Sequence, residues 1–231
     1  MTTKIFVSYI FFTLILFAKV DGADLKCDAR INNFILPTSS VSIGALGEIR
    51  SLYEADQMDR KALENFISLE TNFKSNKGGD GFDLGEKQNY DFLGANGQED
   101  IIQKVQKNDQ DREYVILGLL AKERIRSPEE LYFAAYILQH AQCNELIKDA
   151  NRLAELAVRL GSEPAKWLYA ASLDRYLLGL GQPQKYGTQF TLQNGRKVLR
   201  PVDPGTTDAD RAKYNVPPLS KSSEGVARRQ E

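Results

Sequence analysis

Apolar positions between Leu46 and Phe73 fall at Leu46, Ile49, Leu52, Tyr53, Leu63, Phe66, Ile67 and Leu69, the three-and-four spacing of an amphipathic helix. Asp56, Asp59, Arg60 and Lys61 interrupt the stripe, so the stretch predicts either two helices or one kinked helix. From Glu99 to Leu180 the helical period is almost continuous, opening with Ile101, Ile102 and Val105 and carried on by Tyr114, Ile116, Leu117 and Leu120. Ser127, Pro128 and Glu130 then form a helix start. The hydroxyl can cap, the ring suits the first turn, and the carboxylate meets the positive end of the dipole. That helix runs to about Gln142. The next spans Asn144 to Leu160, with Gly161 as its stop and Ser162, Glu163 and Pro164 opening a successor.

The period then changes. Phe190–Thr191–Leu192, Asn194–Gly195 and Lys197–Val198–Leu199 read as a short β-hairpin with a two-residue turn. Upstream, Asn76 to Gly97 has a glycine-rich loop composition, with Phe82, Tyr90 and Phe92 to pack it down. Its glycines lack the spacing and the following Lys-Ser/Thr of a phosphate-cradling loop. LYFAAYILQ at 131–139 aligns with WLYAASLDR at 167–175, an offset of 36 residues from Leu131 to Trp167, which suits stacked helical hairpins. The expected class is mainly α, a helical-hairpin domain of solenoid or bundle type with a short C-terminal β-hairpin. Its divisions are a signal peptide at 1–22, an extended arm at 23–45, the helical domain ending in the hairpin at 46–200, and a Pro-rich, partly mobile tail at 201–231.

The N-terminus sets the expected compartment. Lys4 precedes an apolar run from Ile5 to Ala18, closed by Lys19 and Asp21, with a small residue, Gly22, at the cut. The run is short for a membrane-spanning helix, so a cleaved signal and a secreted or periplasmic protein are expected, with no stable membrane insertion afterwards. Thirty basic against thirty-one acidic residues leave no summed field to draw the chain to nucleic acid. Cys27 and Cys143 are the two cysteines, either one disulfide pinning the arm or two separate thiols.

Candidate chemistry concentrates in LDRYLLGLGQPQKYGTQFT, from Leu173 to Thr191. On a helical wheel Asp174 joins the stripe of Trp167, Ala171 and Leu178, so it faces the core and needs a partner. Arg175 lies about a hundred degrees further round, better placed for some other group. Asp174 could equally brace the neighbouring loop or bind a ligand. His140, the single histidine, follows Phe133, Tyr136 and Ile137 on an apolar face, as a core residue or as a general base oriented by Asp174 or another carboxylate. Gln184, Tyr186, Thr188 and Gln189 could then hold a substrate. ADQMDR at 55–60 and NDQDR at 108–112 share an Asp-Gln-Asp-Arg pattern. Local ion pairs on a solvated face would explain both, and the alternative is that one Asp-Gln pair points into the same pocket as His140. No HxxxH, HxH or CxxC spacing and no G-x-S-x-G elbow occurs, so neither a metal, a cofactor nor a serine triad is expected.

With those residues in view, the chain resembles a bacterial family of unknown function over roughly residues 48–219. The shared elements are Asp56–Gln57 with Arg60, Gln139–His140–Ala141, Asp174–Arg175, and Pro183–Gln184–Lys185–Tyr186–Gly187–Thr188–Gln189. The stretch LAELAVRLGSEPAKWLYAA also resembles a Sel1-like or tetratricopeptide unit. The family resemblance implies a site built from His140, Asp174, Arg175, Gln184 and Gln189, and implies no reaction. The expected function is a binding or interaction module for a peptide, a glycan or another envelope protein. The alternative is a hydrolase or lyase using His140 as general base.

Overall fold

The polar positions at Asp56, Asp59 and Arg60 do not break the first helix. In the computed structural model α1 runs unbroken over Leu46–Asn76, and those side chains turn toward α2, Gly97–Ala121, instead of toward solvent. The structure describes residues 45–76, 97–193 and 196–222. The expected signal, the arm with Cys27, the glycine-rich loop over 77–96 and the end of the tail lie outside the described residues.

Direction follows from which residues meet. Glu48 faces Arg124 at 3.6 Å and Asp59 faces Arg112 at 2.7 Å, so α1 and α2 are antiparallel. Arg50 meets Glu129 at 2.6 Å and the Tyr53 ring lies 4.6 Å from Phe133, so α3, Pro128–Leu138, runs parallel to α1. Next come α4, Asn144–Arg159, and α5, Pro164–Gly179. The Asn144 amide reaches the Tyr176 carbonyl at 3.4 Å and Asn151 reaches that of Tyr169 at 2.8 Å, which makes this pair antiparallel. The first three helices therefore alternate in direction along the chain, and α5 folds back antiparallel on α4.

Local chemistry explains the punctuation. Ser127 accepts from the Glu130 N–H at 3.2 Å while the Glu130 carboxylate accepts from the Ser127 N–H at 2.9 Å, the reciprocal cap that starts α3. Gly161, at φ 92°, takes the left-handed conformation that ends α4. Ile49, Ile116, Leu131, Leu138 and Leu168 are fully buried between the helices. Each such side chain contributes about 2 kcal/mol by leaving water. Ala134, Ala135, Ala150, Ala154, Ala157 and Ala165, all buried, let α3, α4 and α5 approach closely.

The small sheet is the expected hairpin. β1, Phe190–Gln193, pairs antiparallel with β2, Arg196–Leu199, in the register Phe190 to Leu199 and Gln193 to Arg196. That register leaves a two-residue connection. The described part of the Pro-rich, partly mobile tail is docked through α6, Asp208–Ala212, as far as Leu219. Arg211, 2% exposed, donates to the carbonyls of Tyr186 at 3.1 Å and Thr206 at 2.9 Å, and Tyr214 stacks on Tyr169 at 4.7 Å. Four prolines and two short loops thus hide a segment with its own anchors, which composition alone does not reveal.

Candidate functional site

The helix directions bring the middle of α1, the middle of α2, the end of α3 and the last turns of α5 to one place. Asp56 on α1 sits at its centre with no exposed surface. Its Oδ1 lies 3.0 Å from His140 Nδ1 and accepts from Arg60 Nη2 at 3.2 Å, while Oδ2 accepts from the Gln57 amide at 3.2 Å. Arg112 Nη2 stands 3.7 Å from the same carboxylate. Arg60 also donates to Asp109, and Arg112 ties Asp109 at 2.7 Å to Asp59 at 2.7 Å. Asn108 completes the edge by donating to Asp59 at 3.1 Å.

This spacing is the helical period at work. Asp56, Asp59 and Arg60 occupy one face of α1, and Asn108, Asp109 and Arg112 the facing stripe of α2, so two polar stripes meet within an otherwise apolar interface. The solvated face expected for the two Asp-Gln-Asp-Arg runs is therefore absent. Side-chain exposure grades outward from 0% at Asp56 through 10% at Arg60 and 12% at Asp109 to 22% at Asp59. The inner members are thus held in a low dielectric, where charge interactions are strongest.

Protonation follows from that setting. Burial alone would raise the Asp56 carboxyl, but His140, Arg60 and Arg112 pull it down to about 2. His140 moves down from its ordinary range because burial and then the Arg60 charge disfavour the imidazolium, with Asp56 opposing them. The pair is an ionised carboxylate and a neutral imidazole. Nδ1–H donates to Asp56, and Nε2 keeps its lone pair. The T-shaped contact of Tyr136, 5.6 Å between ring centroids, fixes the imidazole plane. Burial raises the Tyr136 phenol well above its usual range, so it stays a hydrogen-bond donor, and Gln57 bonds to it.

Arg175 enters from α5, beside Arg60 and Arg112, which hold carboxylates through their terminal nitrogens and leave only Nε buried without a partner. It is 5% exposed, and its Nε and Nη1 have no hydrogen-bond partner. Burial and the neighbouring Arg60 charge push it down to about 10, with Tyr136, Asp56 and Asp109 partly compensating. The side-chain Oε1 of Gln139, beside His140 in the chain, is also buried without a partner. The turn after α3 and the end of α5 thus carry unfilled hydrogen-bonding capacity in opposite senses.

Asp174 turns the other way. Its carboxylate accepts from the backbone N–H groups of Lys185 and Tyr186, both at 2.7 Å, and of Thr188 at 3.0 Å, and from the Thr188 hydroxyl at 2.8 Å. Burial raises this carboxyl against those four donors. The Gln184 amide donates to the carbonyls of Gln189 and Arg200, both at 2.9 Å, and its oxygen accepts from the Gln189 N–H at 2.7 Å. Gln189 in turn donates to the Ala171 carbonyl at 3.2 Å. Tyr186 packs against Tyr169 and Tyr214. Gly187, at φ 78°, makes the bend that aims three N–H groups at one carboxylate.

The sequence-derived residues therefore divide between two places. His140, Arg175, Asp56, Gln57 and Arg60 converge. Asp174, Gln184, Tyr186, Thr188 and Gln189 form a loop clasp on the other side of α5, so the single pocket shared by His140 and Asp174 is corrected: the carboxylate that orients His140 is Asp56. Asp59, Asn108, Asp109, Arg112, Tyr136 and Gln139 complete the first cluster without having been chosen as site residues. The repeated Asp-Gln-Asp-Arg pattern was the signal for four of them.

Asp56, Asp109 and His140 offer ligand atoms within 4.8 Å of one another, a spacing open to a metal ion. Arg60 already bridges both carboxylates and supplies the positive charge, so the cluster reads as an ion-paired network. Cys143, just before α4, is disulfide-bonded, and the sequence's other cysteine, Cys27, lies outside the described residues. No protein-family model, curated protein or solved structure matches the chain.

Proposed function

We propose that this chain is an exported helical binding module whose polar site lies where α1, α2, α3 and the end of α5 meet. The observation that carries this reading is the buried Arg175, with Nε and Nη1 unpartnered, beside an ion network in which Arg60 Nε, Arg112 Nε and Gln139 Oε1 are also left open. A network serving stability alone would satisfy its members, since a buried donor without an acceptor costs free energy. The ligand would be a polar group of a peptide, a glycan or another envelope protein. Export is supported by the disulfide at Cys143, which suits an oxidising compartment, and by the apolar leader in the sequence. Among the described residues no helix is long and apolar enough to cross a membrane.

The Asp56–His140 pair favours a second reading, a hydrolase or lyase. With Nδ1–H held by the carboxylate, Nε2 is the atom that would accept a proton from a bound hydroxyl or water. Asp56 would stabilise the imidazolium so formed.

A thermal-shift screen of peptides, glycans and small anions against wild type and His140→Gln tests the binding reading. A compound that stabilises the wild type and leaves the variant unmoved supports it. Stabilisation indifferent to His140 would move binding elsewhere on the molecule. Turnover of a bound compound, lost in His140→Gln at unchanged affinity, would establish the second reading.

A further inference from the structure

The chemistry around Arg175 narrows the ligand. Its Nε–H and Nη1–H groups have no acceptor. The three carboxylates of the neighbourhood, Asp56, Asp59 and Asp109, are engaged by Arg60 and Arg112. Three guanidiniums face three carboxylates, but the bonds are distributed so that one cation is left over. His140 stands close enough for the Arg175 charge to act on it, and its Nε2 carries a free lone pair in the tautomer that Asp56 selects. A group filling this place must accept hydrogen bonds from a guanidinium. A carbonyl would satisfy the N–H groups, whereas an anion would do so with charge-assisted bonds, which are the stronger.

Resting on the binding reading above, we propose that Arg175 recognises an oxyanion, a carboxylate or phosphate group, seated beside His140. Arg60 and Arg112 hold carboxylates through their terminal nitrogens and leave one buried atom each, Nε, unpartnered, whereas Arg175 leaves both Nε and Nη1. The guanidinium supplies planar N–H donors suited to oxygen pairs, which a lysine could not replace in geometry. A protonated oxyanion would in addition offer its O–H to His140 Nε2.

His140 is the only imidazole in the chain, so its ring signals give an unambiguous NMR reporter. The protein is titrated with inorganic phosphate and with acetate against chloride at matched ionic strength. One or both oxyanions are expected to move the His140 signals saturably, and which one does so assigns the source. Arg175→Gln is expected to weaken that binding roughly tenfold to a hundredfold, the size of a lost charge-assisted bond. Arg152→Gln, an exposed arginine on α4, is expected to leave it unchanged. An undiminished response in Arg175→Gln, or no saturable response to either oxyanion, overturns the proposal. If Arg175→Gln fails to fold, Arg175→Lys carries the test, and wild-type affinity there overturns the role of the guanidinium fork. Titration with N-acetylglucosamine and a blocked neutral tripeptide separates the two readings. A His140 response to these but not to oxyanions overturns the oxyanion and leaves the binding module standing, and silence toward every probe counts against both.

Discussion

Replacing Asp56 by asparagine removes one negative charge from the centre of the ion network while keeping its shape. The variant leaves Arg60, Arg112 and Arg175 facing only Asp59 and Asp109 in a region where Asp56 itself has no exposed surface. Removing one partner of a buried charge pair costs about 3 to 5 kcal/mol because the other charges stay behind unpaired. Asparagine still offers one oxygen to His140 Nδ1, so the lower end, about 3 kcal/mol, is expected. The depressed pKa gives an independent figure. A fall from 3.8 to about 2 corresponds to about 2 kcal/mol in favour of the ionised folded state.

The assay is urea unfolding of wild type and Asp56→Asn at neutral pH and again toward pH 2. Because the folded pKa lies below the unfolded one, the stabilisation is present above pH 3.8 and is lost as pH falls through about 2. The difference between the two proteins should accordingly shrink with acid. Adding Arg112→Gln to Asp56→Asn restores the charge balance, so the double variant should lose about 1 kcal/mol less than the two singles together. A cost under about 1 kcal/mol at neutral pH, or strict additivity in the double variant, would refute the network as described.

Asp174→Asn should cost about 2 to 3 kcal/mol in urea unfolding, because three backbone N–H groups lose an ionised acceptor. The same variant should leave the His140 NMR signals in place, and movement of those signals would contradict the separation of the two clusters. Wild-type stability should fall as pH drops below 6.5, since the unfolded imidazole gains a proton that the folded one, held low by burial and Arg60, resists; a flat profile over that range counts against a buried neutral His140. Arg175→Met should stabilise the fold by roughly 1 to 3 kcal/mol. Burial and the Arg60 charge already disfavour the guanidinium cation there, and net destabilisation in urea would show that it has a structural partner.

The order of helices was legible because local rules govern it. Ser127, Pro128 and Glu130 spell a cap within four residues, and Asn194–Gly195 spells a hairpin within two. The site depended on longer distances. Asp56 and His140 are 84 residues apart and meet only because α1 and α3 run parallel, a relation that no local pattern encodes. The polar run at Asp56 to Lys61 looked like a break for the same reason: a sequence shows polarity but not which neighbour a face meets. Asp174 was correctly placed facing inward by periodicity. Its partner came from the loop eleven to fourteen residues later, which supplies backbone N–H groups that no side-chain motif records.

The adjacent pair Asp174–Arg175 shows how one helix turn can serve stability and recognition at once. The hundred-degree step between neighbours sends Asp174 to the loop side and Arg175 to the network side of α5. Asp174 ends fully bonded, with four donors on two oxygens, whereas Arg175 ends buried with two empty donors. The clasp at Asp174 ties the residues after α5 back onto its last turns. Fraying there is therefore resisted where Arg175 is held. A guanidinium with nothing to bind would relax toward solvent if its helix end were loose, since a long side chain recovers hydration by moving only its tip. Holding it buried and unpaired requires the backbone beneath it to be rigid, and the loop clasp supplies that rigidity. The two halves of the dipeptide are then coupled through α5: weakening the clasp should let Arg175 reach water and lose its preorganisation before the helix itself unfolds.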